Sequence, residues 1–541
     1  RRQPVELLIL LACAGIFLLG ILVFFNSNPY AIAPEAALRL EMGKLLLSGH
    51  LPYRDFIEAD PPTLMLLSAI PAFISARCNC EIVPTALFCA FTLAVISAAI
   101  STYLVAKSEL GRNPFAVGFF AIACAAISNL FIFQFAEREH LLLLLVLPYV
   151  LLRWLRTSEI EIAIPRALSQ LIGLAAGLGF WLNLQYLLIP LILETAFFLQ
   201  NNKFARLRVP EFSACTLSLC LVPAYLVLNP VAGKIFCNLY VPLWFNNYIY
   251  PMDDHARYLN CSPDLRIFFY AAALIYITVL ALRQETSLFY PITLISLFGF
   301  ILFITDKRGA TAQIILLAAP LLINSSIVIA IAARAIAQLS STRLKLSSSL
   351  ITTLLLVASF VSWQSWAFTK AACLKPTETK LDPVQCGQPS EFSVWLNKYS
   401  KPGDCVMFLN DTVSPGYPLT LLENRRPCPP FLWGYPIRLL ADCNITDKEL
   451  PPEFINSPQQ IFDQTYVDVE LARVIKEKKP KLMFIQQGRT EAYLRKHKQL
   501  ELALSENYKP MGEANQIKLP KTEPAYISGC WYSFTVWMRK D

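Results

Sequence analysis

His50-Leu-Pro-Tyr-Arg-Asp-Phe-Ile-Glu-Ala-Asp-Pro-Pro62, with the apolar run 63 to 77 behind it, decides how the chain is threaded. The first part gathers three carboxylates, an arginine and a Pro-Pro stop into a short polar segment. The run that follows is apolar but shorter than the roughly 20 residues a helix needs to cross the bilayer core. It is bounded by Pro62 and by the polar Arg77-Cys-Asn-Cys-Glu81. Read as a crossing, it inverts every later loop. Read as lying in the interface, it leaves the basic loops on one side of a membrane and the acidic ones on the other.

The choice matters because most of the chain reads as membrane. Of 541 residues, 55% are hydrophobic and 16% charged, and the mean hydropathy is +0.46. That is too apolar for one soluble domain and predicts a polytopic α-helical membrane protein. Spans are predicted at 6 to 25, 82 to 106, 115 to 134, 141 to 155, 168 to 184, 185 to 199, 212 to 229, 266 to 283, 287 to 304, 312 to 336 and 347 to 368, about eleven transmembrane helices in all. The first follows Arg1 and Arg2, lacks a small-residue cleavage site, and reads as a retained helix.

With a cytoplasmic N-terminus, the inner loops hold Lys107 and Arg112, then Arg153, Arg156 and Arg166, then Lys203, Arg206 and Arg208, then Arg283, then Arg334, Arg343 and Lys345. This is the positive-inside pattern, provided that 63 to 77 does not cross. The first outer loop, 26 to 81, the Glu137-Arg-Glu-His140 turn, the loop 230 to 265 and the Asp306-Lys-Arg308 turn then share the outer face. After Phe368 the composition turns polar, with strand-like runs at Cys405 to Leu409, Leu482 to Ile485 and Tyr532 to Trp537. Helical patterns lie between them, at Val467 to Lys478 and Thr490 to Glu506. The expected organisation is a transmembrane domain over 1–368 and an extracytoplasmic α/β domain over 369–541.

Six of the fifteen cysteines lie after Phe368, an even number that permits disulfides in an oxidising compartment without choosing their pairing. Cys78-Asn-Cys80 is too closely spaced for a usual zinc site, and no metal ligands are assigned. The net charge of +8 suits anionic membrane lipids as partners. No aromatic-basic pattern points to nucleic acid.

Ionised carboxylates at Asp55, Glu58 and Asp60 can accept a proton from an acceptor group or help hold a divalent ion. The plain alternative is a solvated loop whose charges cap interfacial helices. Glu137, Arg138, Glu139 and His140 abut the apolar run Leu141 to Leu147, a costly placement unless they are paired or face a polar cavity. The competing reading is a helix boundary with Glu139 at its positive end. Lys307 and Arg308 are basic residues on the face where few are expected, and they fit an anionic ligand such as a lipid phosphate. Their bland alternatives are snorkelling and a local pair with Asp306. The aromatic loop around Trp244, Phe245, Tyr248 and Tyr250 reads chiefly as a membrane-interface belt.

In order, these features resemble the glycosyltransferase C superfamily, including protein O-mannosyltransferases and aminoarabinose transferases. The matching elements are one N-terminal span, a long acidic outer loop ending in Pro-Pro, a second acidic outer turn, a basic turn before a late span, and a C-terminal outer α/β domain. The resemblance is specific over about 33 to 65 and 134 to 150. Glu35, in Ala33-Pro-Glu-Ala-Ala37, matches the second acid of the family's Asp-Glu pair, while Pro34 replaces the first. Asp60-Pro-Pro62 stands where the aminoarabinose transferases carry a basic residue before Pro-Pro.

The resemblance implies single displacement at an anomeric carbon, with a polyprenyl-phosphate-linked sugar as donor and a lipid, glycan or protein as acceptor. The expected catalytic residues are Asp55 as base, Glu35 as its rival, and Glu58. Arg54, Asp60, Glu137, Arg138, Glu139, His140, Lys307 and Arg308 are expected to bind substrate. No cofactor is required, although a divalent cation, Mg or Mn, is compatible. The expected location is a bacterial inner membrane with the C-terminal domain outside. Two other functions compete: a transporter or flippase of lipid-linked saccharide, and a non-catalytic cell-envelope assembly protein. A transporter calls for ionisable residues within the spans, which the hydropathy reading leaves nearly free of charge.

Overall fold

The computed structural model describes residues 3–27, 32–56, 58, 61–130, 135–157, 164–201, 209–237, 241, 275–282, 286–305, 311–339, 390–410, 413–432, 434, 464–515 and 533–540. Asp60, Lys307, Arg308, most of the aromatic loop and the span expected at 347 to 368 lie outside the described residues. The apolar part contains helices α1 (Gln3–Ser27), α2 (Pro34–Leu47), α3 (Pro62–Cys78), α4 (Ile82–Lys107), α5 (Pro114–Leu130), α6 (Arg138–Thr157), α7 (Arg166–Phe180), α8 (Leu188–Asn201), α9 (Pro210–Leu228), α10 (Pro230–Ile235), α11 (Phe289–Thr305) and α12 (Thr311–Leu339). Helices α13 (Glu391–Tyr399), α14 (Gly416–Leu422), α15 (Gln464–Arg473), α16 (Arg489–Lys496) and α17 (Lys498–Asn507) follow, with strands β1 (Val406–Leu409), β2 (Leu482–Gln486), β3 (Tyr508–Asn515) and β4 (Ser533–Arg539).

Among the described residues five helices are long and apolar enough to cross a membrane: Leu7–Ser27, Ile82–Lys107, Arg138–Thr157, Pro210–Leu228 and Ile315–Ala335. The spans expected at 115 to 134, 185 to 199 and 287 to 304 correspond to shorter apolar helices. The one expected at 168 to 184 is the 15-residue α7, which ends at Trp181. Arg153 and Arg156, expected in an inner loop, instead belong to the last turns of α6. Hydropathy cannot tell a charge just past a helix from a charge inside its final turns.

The chain forms two compact units assembled from separated stretches: 1–27, 87–224 and 247–368 in one, and 28–86, 225–246 and 369–541 in the other. In the first unit, α1 packs on α5 through Ala14, Phe17, Ala121 and Ala125. Two glycines let backbones approach closely. A Cβ on Gly299 of α11 would lie 2.6 Å from the Leu316 carbonyl of α12, and one on Gly177 of α7 would lie 2.6 Å from Ser218 Cβ of α9. Helices without a hydrophobic drive to associate in lipid gain by such contacts and by interhelical hydrogen bonds. Ser97 Oγ donates to the Leu144 carbonyl at 2.7 Å, and Trp181 Nε1 to the Leu219 carbonyl at 2.7 Å.

In the second unit, α2 begins with Pro34 in its first turn and ends at Leu47, with Lys44 in its last turn, while α3 begins at Pro61-Pro62 and ends on Asn79 in the left-handed conformation, φ 53°. Proline at a helix start and a left-handed residue past its end are the expected stops. The two helices pack at Gly43, where a Cβ would overlap the Ser68 carbonyl.

The same unit holds a four-stranded sheet of order β1-β2-β4-β3. β1 and β2 are parallel, and β4 pairs antiparallel with both β2 and β3. Every residue of β1 and β2 is buried, as in a sheet covered on both faces. Val406, Phe408, Leu482 and Phe484 face Phe392 and Leu396 of α13 and Leu419 of α14. Met407, Leu409, Met483 and Ile485 face Val467 and Leu471 of α15 and Leu500 and Ala503 of α17. A disulfide joins Cys405 to Cys428. On its other side α14 packs against α2. Within the second unit, α14 thus joins the C-terminal sheet to α2.

Candidate active site

Each unit contains one of the two acidic groups expected from the sequence. In the second unit, residues 51–56 form a tight turn with Tyr53 at φ 64°, closed by Tyr53 N–H donating to the Phe56 carbonyl at 2.9 Å. Tyr53 is buried and packs edge-on against Phe236, with ring centroids 5.8 Å apart. This anchors the turn. Asp55 accepts from Arg54 through a two-pronged contact, Nε to Oδ1 at 2.9 Å and Nη2 to Oδ2 at 2.8 Å, and from the Leu51 N–H to Oδ2 at 2.8 Å.

The Arg54 guanidinium beside Asp55 holds its carboxyl below the usual carboxylate range, with the Leu51 N–H adding to the effect and partial burial opposing it. Asp55 is therefore an oriented, permanently ionised carboxylate at neutral pH. Because its folded pKa is depressed, the ion pair's contribution to stability is present above the ordinary Asp pKa and is lost as pH falls through the lowered one. Replacing Arg54 with Gln should move the acid limb of any activity that needs ionised Asp55 upward, because the guanidinium is the largest cause of the lowered carboxyl pKa. A pH–rate profile checks this, and an unmoved limb would detach Asp55 from the rate.

Glu35 is exposed in the first turn of α2, where a carboxylate suits the helix dipole. Glu58 is buried. Arg39 and Glu41, both buried on α2, were not singled out from the sequence. Glu41 pairs with Lys44 at 2.8 Å, and burial raises its pKa against the opposing pull of that lysine.

In the first unit, Glu137, Glu139 and His140 are buried at the start of α6. Glu139 Oε1 accepts from Arg138 Nη2 at 3.0 Å and from the Tyr186 hydroxyl at 2.8 Å. His140 Nδ1 faces the Ala136 N–H at 3.4 Å, and its Nε2 lies 3.0 Å from Ser128 Oγ. Both nitrogens of the ring are engaged, so His140 is a packed, hydrogen-bonded residue here. Among the described residues no group of three or more His, Cys, Asp or Glu is arranged to hold a metal ion.

A further charged group was missed. Arg153 reaches Glu194 of α8 through Nε at 2.8 Å and Nη2 at 2.5 Å, and Tyr149 donates to the same carboxylate at 2.8 Å. Glu211 of α9 takes Arg156 at 3.3 Å and Arg153 at 3.9 Å. Glu194 within an apolar run was the available signal, since a charge inside a span requires a partner. The spans are therefore not nearly free of charge, contrary to the hydropathy reading.

No family model matches the chain, and no curated protein matches it. Among solved structures it is similar to ArnT from Cupriavidus metallidurans bound to undecaprenyl phosphate, at 13% identity over 98% of this chain and 97% of that one, with a TM-score of 0.49. At that identity and score the likeness carries no argument about chemistry, which has to come from the residues.

Proposed function

We propose that this chain is a membrane glycosyltransferase that moves a sugar from a polyprenyl-phosphate donor to a lipid, glycan or protein acceptor at the outer face. One observation carries the reading: the first outer loop presents Asp55 as a fixed, ionised carboxylate, oriented by Arg54 and the Leu51 N–H. In this reading an acceptor hydroxyl attacks the anomeric carbon. The bond from that carbon to the phosphate oxygen breaks, polyprenyl phosphate leaves with the electron pair, and Asp55 takes the acceptor's proton. Arg54 and Arg138 already pair with Asp55 and Glu139, which leaves Lys307 and Arg308 as the proposed partners of the leaving phosphate. The Cys405–Cys428 disulfide supports an oxidising, extracytoplasmic setting for the second unit.

The buried charges joining α6, α8 and α9 favour the transporter alternative, since charges between spans can mark a transport path. Their mutual pairing is equally that of a staple. Reconstituting the chain in lipid nanodiscs with undecaprenyl-phosphate-linked sugars and a cell-envelope extract separates the two. Release of undecaprenyl phosphate with label appearing in the extract is the expected result. No release, together with movement of intact donor across proteoliposomes, would replace transfer by transport.

A further inference from the structure

α3 ends at Cys78, and Asn79 and Cys80 follow in one tight turn. Asn79, at φ 53° and ψ 41°, folds the chain back on itself. Buried Ser75 clamps the turn from within: its carbonyl accepts the Cys80 N–H at 3.1 Å, and its hydroxyl donates to the Cys80 carbonyl at 2.6 Å. The Cys80 thiol points back to the Cys78 carbonyl at 3.5 Å. Both cysteines are exposed and unbridged. A disulfide needs its two Cα atoms within about 7 Å, and two Cα steps of about 3.8 Å bent at a left-handed residue meet that limit. The same compact unit holds the Cys405–Cys428 disulfide, a bond that reducing compartments do not maintain. The two pairs differ in kind. Cys405 and Cys428 stand 23 residues apart with Cys428 buried, and a crosslink restrains the unfolded chain more as its loop lengthens. A bridge across one residue restrains almost nothing, and exposed disulfides are the labile, exchanging ones.

We propose that Cys78 and Cys80 are a thiol–disulfide exchange site, closing and reopening a bridge with small disulfides and thiols of the glutathione class. The Cys78 thiolate attacks the external disulfide, and one half leaves as a thiolate. Cys80, aimed back along the turn, then attacks the Cys78 sulfur and the second half leaves. The chain's two thiols are oxidised to one disulfide, the external disulfide is reduced to two thiols, and two protons pass to them. The site is independent of the glycosyltransferase reading. It rests on the oxidising setting proposed for this unit.

The test equilibrates the full-length chain in nanodiscs with glutathione buffers of graded ratio, followed by acid quench, alkylation and mass spectrometry of the peptides. Oxidising buffers should take two hydrogen atoms from the peptide that carries Cys78 and Cys80 and leave no glutathione on it. The bridge should reopen at a ratio of reduced to oxidised glutathione about tenfold or more lower than Cys405–Cys428 requires. In Cys80→Ser, an exposed change, Cys78 should instead retain glutathione as a mixed disulfide, because the second thiol is gone. Full alkylation of both thiols at every ratio overturns the proposal. So does glutathione retained on the wild-type pair, a bridge to Cys237 or another cysteine, or reopening in step with Cys405–Cys428. The setting is read separately with a membrane-impermeant maleimide on reduced, intact spheroplasts. Modification of Cys78 and Cys80 is expected there, and modification only after permeabilisation removes the oxidising compartment and the proposal with it.

Discussion

Asp55→Asn should lower turnover by about 100-fold or more while leaving binding of undecaprenyl phosphate intact. The substitution keeps the side chain's size, and the amide oxygen can still accept from Arg54 or the Leu51 N–H. What disappears is the charge, and with it the site for the acceptor's proton. The environment of Asp55 sharpens the expectation. A carboxylate that accepts from Arg54 at 2.8 and 2.9 Å and from Leu51 at 2.8 Å is held ionised at neutral pH. Its low pKa makes it a weaker base, a loss that its fixed orientation offsets. Glu35→Gln is the companion measurement. Glu35 is exposed at the start of α2, so its loss should remove no more than a helix-dipole contribution of about 0.3–1 kcal/mol. Should Asp55→Asn retain near-normal turnover while Glu35→Gln abolishes it, the base is Glu35. If neither alters transfer, the loop is a solvated turn and the catalytic reading loses its support.

How far the sequence reveals this differs between the two units. Strands β1 and β2 coincide with apolar runs because both faces of the sheet are covered there, whereas β4 shows as an alternation in which only Phe534 and Val536 are buried. β3 is invisible in the same terms. It carries Pro510 and Gly512, with an irregular register between them, and among the described residues it pairs only with β4. The helix expected over 490–506 breaks at His497, whose Nδ1 meets Asp468 at 2.5 Å while its ring packs on Tyr493 at 4.2 Å. That long-range anchor leaves no trace in local periodicity. At the site, the density of charge in 50–62 was legible as a polar loop among apolar spans. The partnership that makes Asp55 distinctive was not, because it depends on a turn held by the burial of Tyr53.

Arg153→Ala should destabilise the first unit by about 3–5 kcal/mol, the scale for breaking a buried ion pair from one side. Arg153 is 2% exposed and Glu211 has no exposure at all, so neither can turn to water when its partner is lost. Without the guanidinium, Glu194 retains the Tyr149 hydroxyl and Glu211 retains Arg156, and two carboxylates are left with one cation between α6, α8 and α9. Chemical or thermal unfolding in nanodiscs reads the loss. Replacing Arg153, Glu194 and Glu211 together by apolar residues of similar volume should restore much of it, because the desolvation of all three charges vanishes at once. Recovery by the apolar set, with transfer activity kept, identifies the cluster as a staple that sets the angle of three helices. Stability unchanged in Arg153→Ala would sink the staple. Restored stability with lost movement of lipid-linked saccharide would instead give these charges a part in transport, and the function would have to be sought between the spans and not at Asp55.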